Sequence, residues 1–129
     1  MTVPITTLRS TIAGILQNTG VWSTFSYPPA SPIANSVIIS PDDPYIVPAN
    51  NLQVISPRAN FKITCIVPAL DNQGNLQGIE TMVSAVFNKF ADASLVLNIS
   101  SVSAPTILTI GNMDLLAADI SITVLTSWS

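Results

Sequence analysis

An α+β fold, built on a mostly antiparallel sheet with two helices packed on one face, is what this sequence predicts. Three observations carry the prediction. Residues 58–65 alternate polar and apolar types at period two, as a half-buried strand does. Residues 76–90 repeat apolar types at spacings of three and four, the mark of an amphipathic helix. The last third of the chain strings together short β-rich runs divided by turn-forming residues, which reads as a meander. At 129 residues, a single domain spanning 1–129 is expected.

The elements follow in order. Thr6 or Thr7 is a plausible N-cap, with Leu8, Ile12, Ile15 and Leu16 behind it at helical spacing and Gly20 in the stop position. A helix is therefore expected over about 7–18. The run VWSTFSY, residues 21–27, reads as a strand that PPASP breaks, because proline cannot donate to a ladder. SVIIS, residues 36–40, is a short apolar run suited to a buried strand. Next comes SPDDPYIVPANN, a stiff, acidic, proline-set stretch expected to form an extended loop or arm at about 41–52. In the long extended segment after it, Ala59, Phe61, Ile63, Cys65 and Val67 share one face, and Arg58, Asn60, Lys62 and Thr64 share the other. DNQGN, residues 71–75, has the composition of a loop. Leu76, Ile79, Val83, Val86, Phe87 and Phe90 make one stripe of the second helix, which residues 92–94 close. LVLNISSVS, TILTI and LLAADISITVLTSW complete the chain as three strands, with GNMD as the turn before the last.

Composition narrows the function. Hydrophobic residues make up 48% of the chain and charged residues 9%, against about 25% charged in ordinary soluble domains. Such a surface is expected to be buried against a protein partner or further copies of the same chain. No run of ~18 or more apolar residues is present, so no membrane-spanning helix is expected. MTVPITTLRS lacks a basic region followed by an apolar core and does not read as a secretion signal. The four basic residues, Arg9, Arg58, Lys62 and Lys89, are scattered, and the formal charge is −3. A grip on nucleic acid needs clustered Lys and Arg, so DNA is expected to slide past this surface.

Catalytic chemistry has little to work with. The chain has no histidine and one cysteine, which removes the common zinc sites and the Ser-His and Cys-His arrangements. Cys65 falls on the apolar strand face and reads as a small buried hydrophobe rather than a reactive thiol. Asp42 and Asp43 read as a turn pair before a proline rather than as a calcium loop, because Pro44, Tyr45 and Ile46 follow where further oxygen ligands would be needed. GNLQG, residues 74–78, matches neither phosphate-binding pattern. No cofactor, no metal and no enzymatic activity are expected. Arg58 and Lys62, on the polar side of the long strand, either form a solvated face or pair across subunits with acids such as Asp42 or Asp119. Trp22 and Trp128 read as core or rim residues, with an interface role second.

Taken together, these segments resemble the small tail terminator proteins of long-tailed phages, particularly those infecting actinobacteria. The resemblance lies in the order of TLRSTIAGIL, the SPDDPYIVP arm, ANFKITCIVPAL with the DNQGN loop, and the helix GIETMVSAVFNKF. VSAPTILTIGNMDLLAADISITV is its most specific piece, and the resemblance as a whole spans nearly the whole chain. Low charge, and NMD where glycine-rich turns are common, depart from the usual pattern. The resemblance implies an α+β subunit of a ring, usually a hexamer, at the head-proximal end of the tail tube. Such a ring stops tube polymerisation and offers a docking face to the head connector or stopper. Its partners are further copies, the tube protein and the connector, with DNA only as cargo through the lumen and no membrane. It is assembled in the host cytoplasm and carried in the virion. In that frame prolines hold the 41–52 arm extended at low entropic cost for docking on a neighbour, with Tyr45 and Ile46 as anchors. Two other readings stand beside it: a head-completion or connector protein of the same virion, and a small soluble domain that binds an apolar ligand between sheet and helices.

Overall fold

The structure, a computed structural model, describes residues 3–18, 20–29, 33–50, 55–68, 72–95, 97–110 and 113–127. Among them run α1 (Ile5–Leu16), β1 (Ser23–Phe25), β2 (Ser36–Asn50), β3 (Ile55–Pro68), α2 (Asn72–Ala91), β4 (Leu97–Val102), β5 (Thr106–Ile110) and β6 (Met113–Leu125). The strands form one sheet in the order β1-β2-β3-β6-β4, with β5 also paired to β6. β3 pairs with the length of β6 from Leu115 to Leu125 on one side. β4 and β5 therefore share the other side of β6, end to end, and together make that sheet edge. All pairings are antiparallel except β1 with β2. This is the expected α+β architecture, with two helices on one sheet face.

The core lies between that face and the helices. Phe61, Ile63 and Cys65 of β3 are fully buried with Ile120, Ile122 and Val124 of β6. Leu8, Ile12 and Leu16 of α1 recur at helical spacing and close over β2, while Ile79, Met82, Val86 and Phe90 of α2 cover β3 and β6. Burying one such aliphatic or aromatic side chain contributes roughly 1.5–3 kcal/mol. Among the described residues no buried side-chain polar atom lacks a partner: Trp22 donates from Nε1 to the Leu16 carbonyl at 2.8 Å, occupying an acceptor that the end of α1 leaves open. Thr126 donates from Oγ1 to the Val3 carbonyl, and Ser36 from Oγ to that of Ile33 at 2.7 Å.

Four expectations change. The segment 41–50, expected as a free arm, is strand: β2 runs on through it and pairs with β3 as far as Asn50 with Ile55. Proline was read as a strand breaker, but β1 covers only Ser36–Ile38 of β2, so the prolines beyond lie on an edge where a missing N–H is tolerated. α1 begins at Ile5, two residues early, with Pro4 in the cap position, where its missing donor costs nothing. α2 begins at Asn72, so most of the expected DNQGN loop is its first turn, and β6 begins at Met113 inside the expected GNMD turn. Trp128 and residues 51–52 lie outside the described residues.

The second sheet face is not uniformly polar. Ile38, Ile66 and Leu115 are buried there, with Phe25, Ala34, Leu108 and Ala117 around them, at the end of the sheet near β1 and β5. Asn60, Lys62, Thr64, Ser121 and Thr123 take the opposite end of the same face.

Among the described residues Phe61 is the largest fully buried side chain, and the ring of Tyr45 stands edge-on to it. Phe61→Ala should lower the unfolding free energy by about 3–5 kcal/mol in urea titration. A loss under about 1 kcal/mol would mean that the layer is not packed as described.

Candidate functional site

The residues singled out for assembly meet on β2, β3 and β6, on the outer, helix-free side of the sheet and at its β2 edge. Register sets their places. Pro41 pairs with Phe61 and Ile46 with Ala59, so residues 42–45 stand opposite Asn60 alone as a bulge. Asp43 and Pro44 are exposed there, and Asp42 is half-buried. The Asp43 N–H donates to Asp42 Oδ1 at 2.8 Å. Asn60 pins the bulge by donating from Nδ2 to the Pro44 carbonyl at 2.8 Å, and its own Oδ1 accepts from Thr123 Oγ1 at 2.8 Å. The Asp43–Pro44 peptide is cis.

Tyr45 does not reach outward. Its ring stands edge-on to Phe61 with centroids 5.6 Å apart, and the residue packs on the core of its own subunit. Ile46 shares the row of buried Ala59 and is half-buried. Within the single chain the bulge thus sets Tyr45 against Phe61, while Tyr45 and Ile46 both keep part of their surface open.

Asp119 is also engaged within the chain. Thr64, its cross-strand partner, donates from Oγ1 to Asp119 Oδ1 at 2.7 Å. The Asp119 N–H donates to Ser103 Oγ at 2.9 Å, and the Ser103 N–H returns to the Asp119 carbonyl at 2.8 Å. These bonds fasten the corner between β4 and β5 to β6. Asp119, one of the two acids offered as a cross-subunit partner, makes these bonds within its own sheet. Arg58 is exposed and Lys62 half-buried, two rows apart on the outer face, and among the described residues neither forms an ion pair.

Sequence reading missed the opposite edge. β5 is exposed at Thr106, Ile107 and Thr109, and Ile107 shows 70% of its surface to solvent. Val102 and Leu76, also exposed, line a cleft of about 270 Å³ between α2 and the β4–β5 corner. The signal was present: residues 97–110 contain no Asp, Glu, Lys or Arg. An uncharged edge strand with free backbone donors and acceptors is a template for another strand.

Chemistry for catalysis is not gathered at any of these places. The cleft of about 500 Å³ between α2, the end of β3 and Trp22 is lined by Val21, Val67, Met82, Gln77 and Thr81 among others, none of them titratable. Among the described residues no cluster of three metal-ligating side chains occurs, and no helix is long and apolar enough to cross a membrane.

No family model matches the chain, and no curated protein matches it in sequence. Among solved structures, a chain in the virion of a native gene transfer agent (GTA) particle superposes with a TM-score of 0.55 at 15% identity, over 92% of this chain and 85% of that one. At this identity the likeness is one of fold, and it extends over nearly all of both chains.

Cys65 lies on the buried face of β3, and its thiol pKa is pushed up to about 12 by loss of hydration and then by the Asp119 charge. An unfolded thiol releases its proton near pH 9, so between pH 9 and 12 the unfolded state binds fewer protons and stability falls as pH rises. Cys65→Ala should flatten that decline relative to the wild type, by up to about 1.4 kcal/mol per pH unit over the window. Identical alkaline denaturation slopes would contradict the buried placement.

Proposed function

We propose that this chain is a structural virion protein, and within that class a tail terminator. Its copies close into a ring, a hexamer by the family pattern, that caps the head-proximal end of the tail tube, stops its polymerisation and receives the head connector. The observation that carries the reading is the correspondence of fold, over nearly the whole length of both chains, with a protein of a phage-like particle. The order of segments that resembles the terminator family runs the same way along the chain. Physical chemistry supports it independently. The uncharged β5 edge and the apolar cleft beside it are surfaces that a solitary soluble protein would guard with charge. In a closed ring each subunit buries two different patches against two neighbours, which suits a sheet with two unlike edges. The work of such a protein is its shape, and no reaction is part of the proposal.

Electron microscopy of the purified protein, alone and with its tube protein, tests the reading. Rings with a lumen wide enough for duplex DNA, bound at one end of tubes of limited length, are expected. A protein that stays monomeric at high concentration, with and without the tube protein, defeats it. Binding to a portal-side adaptor in place of the tube would reassign the chain to head completion. Ile107→Lys alters an exposed side chain, so its unfolding free energy should stay within about 0.5 kcal/mol of the wild type. Its assembly, followed by sedimentation, should nevertheless be weakened, since a lysine on an edge strand opposes strand addition.

A further inference from the structure

Charges on this chain are few, so those without a partner stand out. Arg9 donates from Nη1 to the Ser26 carbonyl at 3.3 Å. Arg58 and Lys62 have no such acceptor among the described residues. Four residues apart on β3, they point to the same face, roughly 13 Å apart along the strand. That face carries no helix, since α1 and α2 pack on the other side. One strand away, the β2 bulge offers two acids at the sheet edge. Asp43 is exposed, and among the described residues its carboxylate has no hydrogen-bond donor; Asp42 has one oxygen taken by a backbone N–H. These acids stand by register beside Asn60, between Arg58 and Lys62 of their own chain, yet no ion pair joins them among the described residues, and Asp119, further along on β6, is held by Thr64.

We propose that the Asp42–Asp43 bulge of one copy docks on Arg58 and Lys62 of the next, across the outer sheet face, and that this is a head-to-tail contact of the assembled ring. The proposal rests on the ring reading above. Charge complementarity selects a second copy as the occupant: each chain holds one acidic pair and one basic pair, and a head-to-tail interface uses one of each. The alternative homotypic contact, β2 edge against β2 edge, would set acids against acids, and Pro41, Pro44 and Pro48 supply no N–H to such a ladder. Isolated surface pairs contribute little, but desolvated and repeated at every interface they fix register and reject wrong partners.

Complementary charge reversal in the full-length protein tests this. Asp43→Arg and Arg58→Glu change exposed side chains, and thermal melts establish that each variant folds. Each alone should raise the concentration for half-assembly on the order of ten-fold or more, read by mass photometry. An equal mixture should recover rings in which the two variants alternate, and the double variant on one chain should recover rings by itself. Should Arg58→Glu fail to fold, Arg58→Gln with Lys62→Gln should weaken assembly and flatten its dependence on salt. Single variants that assemble like the wild type, or a mixture that stays apart, overturn the docking while leaving the ring reading intact. A wild type that never forms rings overturns the ring reading, and the docking with it.

Discussion

Everything in this structure depends on β3. Its residues alternate between a fully buried row, Ala59, Phe61, Ile63 and Cys65, and a polar row, Arg58, Asn60, Lys62 and Thr64. Pairing with β2 on one side and β6 on the other holds that alternation, because a slip of one residue would send every buried side chain to the wrong face. One row faces the core, where α2 packs on β3 and α1 on the neighbouring β2. The other is the floor of the proposed interface. Core and proposed assembly surface are therefore two sides of one strand, and the packing that fixes Phe61 also fixes which face Lys62 occupies.

The second consequence is that the bulge in β2 is positioned rather than loose. Tyr45 is held by Phe61 from the core side and the Pro44 carbonyl by Asn60 from the polar side. Asn60 is in turn held by Thr123 of β6. The acids between them are thus presented from a backbone with anchors on both faces of the sheet. An interface built on such a support loses less entropy on association than one built on a free loop. Pre-organisation of this kind answers the question that the proline-rich stretch raises, and it does so without an arm that reaches outward.

How much of this the sequence disclosed follows from where local and tertiary causes agree. β3 was legible because its alternation is the direct imprint of one dry and one wet face. α2 was legible in its stripe but not in its start, since a first helical turn needs no apolar residues and Asn72–Asn75 look like loop by composition. β2 was misread because Pro41, Pro44 and Pro48 argue against a strand only when both edges must pair, and edge status is a property of the whole sheet. Asp119 stood out in the sequence as a possible partner for the basic residues, but the partners it has, Thr64 and Ser103, come from two other segments that no local pattern brings together. The exposure of Ile107 was invisible for a similar reason: TILTI reads as a good strand whether it lies in the middle of a sheet or at its rim.

The two sheet edges then differ in kind. Along β2 beyond Ile38, prolines remove donors and aspartates add charge, both of which obstruct the addition of another strand. Along β5, threonines and isoleucines leave an uncharged edge with Ile107 largely exposed. A monomer gains nothing from guarding one edge and leaving the other open, because a single open edge suffices for aggregation. A subunit whose open edge is covered in the finished assembly has reason to guard only the edge that must not propagate. The contact proposed for the bulge would use that guarded edge through side-chain charge rather than a backbone ladder, and a contact of that type can be specific without extending the sheet indefinitely. Growth that stops is what separates a closed ring from a fibre built of the same α+β subunits.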